Sequence, residues 1–247
     1  MNSPQEKPLA IVTGGARGIG NAIVLRLARD GFRVIIVDRD GEQAAAAAGK
    51  AGGEGLTVEA RALDLTDHEA VGTLVSGLPR IDAVVNNAGV FDERKFFELT
   101  PADFRRAYEI NLVALFSLSQ KAAERMKPGG KIVNIASRAF LGARHHAHYV
   151  ASKAAVVGLT RAMAMELAEK RILVNAVAPG LIDTPLLQAL TPERLQAQLA
   201  LQPTGRAGRP EDIANAVAFL AAPHMDFITG QVLMVDGGKS LGGGLGL

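Results

Sequence analysis

The stretch Leu9-Ala10-Ile11-Val12-Thr13-Gly14-Gly15-Ala16-Arg17-Gly18-Ile19-Gly20 decides the fold. Its first five residues are apolar or β-branched and suit a strand buried on both faces. Glycine then recurs at Gly14, Gly15, Gly18 and Gly20, and a helical pattern begins at Ile19 and runs to Arg29. A second apolar run, Arg33-Val34-Ile35-Ile36-Val37-Asp38, follows directly. Strand, glycine turn, helix and strand in this order make a βαβ unit of a parallel sheet. Without Cβ atoms the turn can bend sharply and approach a diphosphate, whose charge is stabilised by free N–H groups at the helix N-terminus. Such a turn also serves plain chain reversal, so its weight comes from its place between strand and helix.

The alternation continues along the chain. Further strands are expected at 56–63, 81–87, 130–137, 171–179 and 231–238, and helices at 41–51, 101–126, 148–169 and 210–222. Thr100-Pro101 and Arg209-Pro210-Glu211-Asp212 read as helix starts, with proline in the first turn and acid where the helix dipole favours it. The apolar runs are nearly continuous, which suits strands covered by helices on both sides. We therefore expect one α/β domain over residues 1–247, a Rossmann fold with a doubly wound parallel sheet of about seven strands and helices on both faces. The glycine-rich tail is expected to be a flexible or tucked end.

Composition narrows the function. At 247 residues, 48% apolar and 21% charged, the chain is an ordinary folded one, and a net charge of +2 gives no reason to invoke nucleic acid or a membrane. There is no cysteine, so disulfides, thiolate metal sites and a cysteine nucleophile are excluded. No metal site is expected from His145 and His146 either, since they are adjacent and no carboxylate accompanies them. The polar N-terminal segment is unlike a signal peptide and no apolar run is long enough to span a bilayer, so a cytoplasmic location is expected.

Asp38 ends the second strand 18 residues after Gly20, where a carboxylate can accept bonds from the adenosine ribose and repel a 2′-phosphate. This favours NAD over NADP. Arg39 beside it, and Arg17 in the turn, could instead hold a phosphate. Asp64-Leu65 and Asn86-Asn87-Ala88-Gly89 are expected at the carboxyl ends of the third and fourth strands, where open α/β sheets bind ligands.

Tyr149 and Lys153 are four residues apart on an expected helix and share a face. A nearby ammonium stabilises a phenolate, so Lys153 is expected to lower the pKa of Tyr149 toward working pH. Ser137, 12 residues upstream at the end of an expected strand, can hold a substrate oxygen beside that hydroxyl.

These motifs, in this order, resemble the short-chain dehydrogenase/reductase family of the short, single-domain type over essentially the whole length. Thr13 to Gly20 resembles its TGxxxGxG turn and Asn86 to Gly89 its NNAG, while Asn111, Ser137, Tyr149 and Lys153 resemble its catalytic tetrad. The resemblance implies that Gly14, Arg17, Gly18, Ile19, Gly20, Asp38, Arg39, Asp64, Leu65, Asn87, Ala88 and Gly89 bind the dinucleotide. Pro179 and Gly180 would pass its nicotinamide, Ile182 and Thr184 would contact its carboxamide and phosphate, and Tyr149 and Lys153 would touch it as well. It also implies hydride transfer between a secondary alcohol and a ketone: Tyr149 exchanges the proton, Ser137 polarises the oxygen, Lys153 grips the ribose and Asn111 holds a water leading to solvent. Asn111 has a structural alternative, satisfying backbone groups at a helix kink. The Ser137 to Tyr149 interval is one residue shorter than the family's commonest spacing, which bears on the shape of that loop.

That loop is basic, and Arg138 or Arg144 could pair with a substrate carboxylate; the alternative is a solvated surface. A flap at about 183–208, carrying Leu186 and other leucines, is expected to wall a compact, partly apolar substrate. Two other readings stay open: a 3-oxoacyl-thioester reductase using NADPH, and a dinucleotide-binding protein without turnover. A homotetramer is expected, from the apolar helix after Ala151 and from the pairing of such helices in relatives.

Overall fold

The computed structural model describes residues 7–242; the last residues of the glycine-rich tail lie outside them. Seven strands form one sheet in the order β3-β2-β1-β4-β5-β6-β7, and every pairing is parallel. They are β1 (Leu9–Thr13), β2 (Arg33–Asp38), β3 (Val58–Ala62), β4 (Ala83–Asn86), β5 (Lys131–Ile135), β6 (Leu173–Pro179) and β7 (Val232–Val235). The helices are α1 (Gly18–Arg29), α2 (Gly41–Gly53), α3 (His68–Ser76), α4 (Pro101–Tyr108), α5 (Ala114–Arg125), α6 (Ala147–Glu166), α7 (Pro185–Gln188), α8 (Pro192–Leu199) and α9 (Pro210–Ala221).

Successive strand residues face opposite sides of the sheet, and the core divides accordingly. Ala10, Val12, Val34 and Ile36 pack with Ile23, Leu27, Ile213 and Val217 of α1 and α9, whereas Leu9, Ile11, Ile35 and Val37 pack with Val71, Leu118 and Met163 of α3, α5 and α6. Burial on both faces explains the unbroken apolar runs of the central strands. The edges depart from that expectation: β3 and β7 are half-exposed, because each has a neighbour on one side only.

Three local expectations need correction. The third strand stops at Ala62, so Asp64 and Leu65 lie in the turn beyond it, where Asp64 accepts bonds from the Thr66 backbone N–H at 2.9 Å and its hydroxyl at 2.8 Å. The helix expected over 101–126 is broken by a π turn, Glu109–Val113, between α4 and α5. Helix α3 was not expected; its start is marked only by Asp67, whose side chain accepts from the Ala70 N–H at 3.0 Å.

Sheet order reverses at β1, whose following connection leads to β2 on one side while β4 lies on the other. The crevice between the carboxyl ends of β1 and β4 is the switch point at which such sheets bind ligands.

Candidate active site

At that crevice the glycine turn is held by the protein itself. The Thr13 hydroxyl accepts from the N–H groups of Asn87 and Ala88, both at 3.0 Å, and donates to the Val85 carbonyl at 3.4 Å. The Asn87 amide donates back to the carbonyls of Thr13 and Gly14, both at 3.0 Å. One hydroxyl and one amide thus lock the ends of β1 and β4 together. The sequence marks Thr13 only by its place in the turn; its linking role appears once β4 is known to be the neighbour.

The turn fits a dinucleotide diphosphate. Gly14 and Gly18 adopt φ of +63° and +56°, which favours glycine. A Cβ on Gly20 would stand 2.0 Å from the Gly14 carbonyl oxygen, whereas one on Gly18 would meet nothing within 4 Å, so the inner side is packed and the outer side open. Ile19 and Gly20 lie in the first turn of α1. Asp38 is fixed toward this turn, with Oδ2 accepting from the Ala16 N–H at 3.2 Å and Oδ1 from the Asp40 N–H at 3.1 Å. Of the two guanidiniums expected as rival phosphate ligands, Arg17 donates to Gln43 at 3.2 Å, and Arg39 is exposed with Asp64 within charge reach.

Tyr149 and Lys153 come from the first turns of α6, and Ser137 follows β5. The Ser137 hydroxyl shares a hydrogen bond with the Tyr149 phenol and accepts from the Ala139 N–H at 3.1 Å. Lys153 is buried; its Nζ donates to the Ile135 carbonyl at 2.7 Å and lies 5.8 Å from the Tyr149 ring centre. The expected lowering of Tyr149 by Lys153 is not what these groups produce. Burial pushes the phenol above its ordinary value, the Ser137 bond pulls against it, and the ammonium is directed at Ile135.

Burial also lowers Lys153 from the ordinary 10.5 to about 8. Between those values the unfolded chain keeps a proton that the folded chain has released, so this group makes stability rise with pH across that window and costs stability below it. Lys153→Met is therefore expected to remove ~3 kcal/mol of pH-dependent stability, read as the wild-type minus variant difference in denaturant unfolding at both ends of the window. A difference that is flat with pH would refute the burial argument.

Asn111 lies on the π turn and is buried. Its Oδ1 accepts from the Val90 N–H at 2.8 Å, and its Nδ2 donates to the Val90 carbonyl at 3.1 Å and to the Ser152 hydroxyl at 3.0 Å. Ser152 in turn donates to the Tyr149 carbonyl at 2.8 Å. From the π turn the side chain therefore satisfies the Val90 backbone rather than that of its own helix, and it joins the NNAG loop to the tyrosine helix. A Cβ on Gly89 would stand 2.9 Å from Asn111 Oδ1 and 3.6 Å from Lys153 Nζ, which places that loop directly against both. Ser152 went unnoticed because a serine inside a helix carries no signal until its neighbours are known.

Pro179 ends β6, and a Cβ on Gly180 would stand 2.6 Å from the Asp236 backbone. Ile182 is buried and Thr184 precedes α7 with its hydroxyl uninvolved in capping. The flap holds the two short helices α7 and α8, and its base is closed by the Asp183 N–H to Gly208 carbonyl bond at 2.7 Å and the Gly208 N–H to Leu181 carbonyl bond at 2.9 Å. The Leu186 side chain lies outside the described residues, and Leu187 is buried.

The basic loop divides. Arg138 is half-buried and donates weakly to the Gly142 carbonyl at 3.4 Å, while Arg144 is exposed. His146 and His148 turn to Asp92, meeting its carbonyl at 3.3 Å and its carboxylate at 2.9 Å. Lys239 also reaches this region: burial lowers its pKa first, and the charge of Arg138 lowers it further.

Residues 14–240 match a family model described as enoyl-(acyl carrier protein) reductase. The chain is 41% identical over 239 residues to the (2S)-[(R)-hydroxy(phenyl)methyl]succinyl-CoA dehydrogenase subunit BbsD of Thauera aromatica, covering 94% of this chain and 96% of the relative. It is 38% identical over 242 residues to the 3-oxoacyl-[acyl-carrier-protein] reductase FabG of Vibrio cholerae, covering 94% and 97%. Its fold superposes with a TM-score of 0.89, at 38% identity and 94% and 93% coverage, on a 7α-hydroxysteroid dehydrogenase complexed with NADH and 7-oxo glycochenodeoxycholic acid. Sequence motifs, sheet order and these matches agree, and the chain belongs to the short-chain dehydrogenase/reductase family.

Proposed function

We propose that this oxidoreductase uses NAD(H) to interconvert a small secondary alcohol, with a carboxylate on it, and the corresponding ketone. The observation that carries the reading is the convergence of Ser137, Tyr149 and Lys153 beside the open glycine turn, with Asp38 fixed at the end of β2. When bound, the nicotinamide supplies or accepts the hydride. Tyr149 gives or takes the proton at the substrate oxygen, Ser137 holds that oxygen, and Lys153 keeps a charge near the phenol and would grip the ribose. Asn111 braces Val90 and α6, so that these groups meet the substrate already oriented.

NAD is favoured because the Asp38 carboxylate, fixed at the end of β2, would accept bonds from the adenosine ribose and repel a 2′-phosphate, while Arg17 is bonded to Gln43. Asp38→Ala is expected to weaken the preference for NAD over NADP by about tenfold or more in kcat/KM, the size of one charge-assisted contact. An unchanged ratio would exclude Asp38 as the selector. For the substrate, Arg138, next to Ser137 in the chain, lies within charge reach of Lys239, and an anion between the two cations would relieve their repulsion. Arg144, being exposed, is the lesser candidate.

A second reading, a 3-oxoacyl-thioester reductase using NADPH, is favoured by the family model's description and by the Vibrio cholerae relative. Rates with NAD and NADP across secondary alcohols with and without a carboxylate, set against 3-oxoacyl thioester reduction, separate the two. Turnover confined to NADPH and thioesters would establish the second. The complete tetrad speaks against a protein that binds dinucleotide without turnover.

A single sheet supports one domain over 1–247, and we place the enzyme in the cytoplasm. No helix of the described residues is long and apolar enough to cross a membrane. Phe116 on α5, Met165 on α6 and Leu233 on the edge strand β7 are exposed, which supports a homotetramer built on those faces. Sedimentation velocity at micromolar concentration is expected to give the tetramer mass; monomer alone would refute it.

A further inference from the structure

The loop after β4 carries a device the reaction scheme does not use. Asn111 fixes Val90, and one residue on, the Phe91 ring stands edge-on to Tyr149, with centres 5.0 Å apart at 89°, and 4.7 Å from the His146 ring. Asp92 follows. Its Oδ1 meets His148 Nε2 at 2.9 Å and its carbonyl meets His146 Nδ1 at 3.3 Å, so Asp92 is tied to both histidines at the start of the tyrosine helix. The His148 side chain is 3% exposed, and its Nδ1 is buried without a partner.

A buried imidazole with one idle nitrogen is a cost that leucine or phenylalanine at that position would not carry. What the imidazole adds is direction: its bond to Asp92 sets where Phe91 lies. The surrounding charges brace the pair. Arg94 bridges Asp92 at 3.1 Å and Asp103 of α4 at 2.8 Å, Arg106 of α4 lies within charge reach of Asp92, and Asp103 within charge reach of His148. Lys153, on Tyr149's own helix, is the cation whose ammonium lies 5.8 Å from the Tyr149 ring centre.

We infer that Asp92 and His148 are positioning residues that hold Phe91 as a wall against Tyr149, closing one side of the phenol to water. Its link to catalysis rests on the reading of Tyr149 as acid–base; the packing does not. Since burial raises the phenol's pKa, opening the wall should lower it.

The chain has two tyrosines and no tryptophan, so in Tyr108→Phe the tyrosinate absorbance follows Tyr149 alone, with no substrate needed. In that background Phe91→Ala, Asp92→Ala and His148→Leu are each expected to bring the midpoint down toward the ~10 of free tyrosine. Phe91→Ala combined with His148→Leu should shift it no further than either does singly, because both open the same wall. His148→Gln, which keeps a donor in place of Nε2, should retain the parent midpoint. In turnover, His148→Leu should lower kcat ~10-fold with the dinucleotide KM unchanged, and His148→Gln should recover it. An unchanged midpoint in His148→Leu with only a lower melting temperature, or additive shifts in the double variant, would overturn the inference. If His148→Leu does not fold, Asp92→Ala with Phe91→Ala makes the same comparison. If the parent turns over no alcohol or ketone, the proposed function fails while the titration still decides the wall.

Discussion

Tyr149→Phe is expected to lower kcat by about 10²–10⁴-fold or more, while dinucleotide affinity is little changed. In the proposed reaction the phenol exchanges the proton at an oxygen that Ser137 would hold, and phenylalanine keeps the ring, its contact with Phe91 and the packing of α6. Only the proton path is removed. Single-turnover rates together with dinucleotide titration separate chemistry from binding. A variant that keeps most of its kcat would remove Tyr149 from the acid–base role and leave the tetrad without a centre. Loss of dinucleotide binding would instead show that the hydroxyl shapes the cleft.

Gly20→Ala is expected to abolish dinucleotide binding and to destabilise the fold by ~3 kcal/mol, the upper part of the range for overpacking. The added carbon would stand 2.0 Å from the Gly14 carbonyl oxygen and 2.6 Å from Asn87 Nδ2. The first is backbone and the second belongs to the amide that joins β1 to β4, so neither can yield without moving the crevice. Gly18→Ala is the internal contrast: there the carbon meets open space and the cost is that of φ +56° alone, about 1 kcal/mol. Denaturant unfolding of both variants gives the comparison. Equal effects would mean that conformation, not the close approach, governs the turn.

Sequence carries these sites unevenly, for physical reasons. The central strands were legible because burial on both faces leaves an unbroken apolar run, and the glycine turn because only glycine accepts its close approach. The four residues proposed as the tetrad stand out in the sequence as ordered motifs. Helix α3 was not, since His68–Ser76 is short and marked by little more than its Asp67 cap. The π turn was hidden because the apolar pattern of 101–126 runs through it; the break lies in the backbone over Glu109–Val113 and not in any residue type there. The rise of Tyr149 was missed for a related reason. Spacing brings Lys153 to the same face but cannot tell where its ammonium points, and it points at Ile135. Asp92 and His148 lie 56 residues apart, and no local pattern reveals that they touch.

The closed base of the flap has a consequence for how such an enzyme can diversify. Leu181, Asp183 and Gly208 are stitched to one another, and Ile182 pairs with Gly208 as an isolated parallel bridge, so the two ends of the flap meet whatever lies between them. Closing a loop costs only ~0.6 kcal/mol more for each doubling of its length. Insertions between Thr184 and Ala207 would thus be cheap and would leave the crevice at β1 and β4 where it stands. Descendants of this chain can change what they accept by rewriting one segment, while the machinery that handles the dinucleotide is inherited intact.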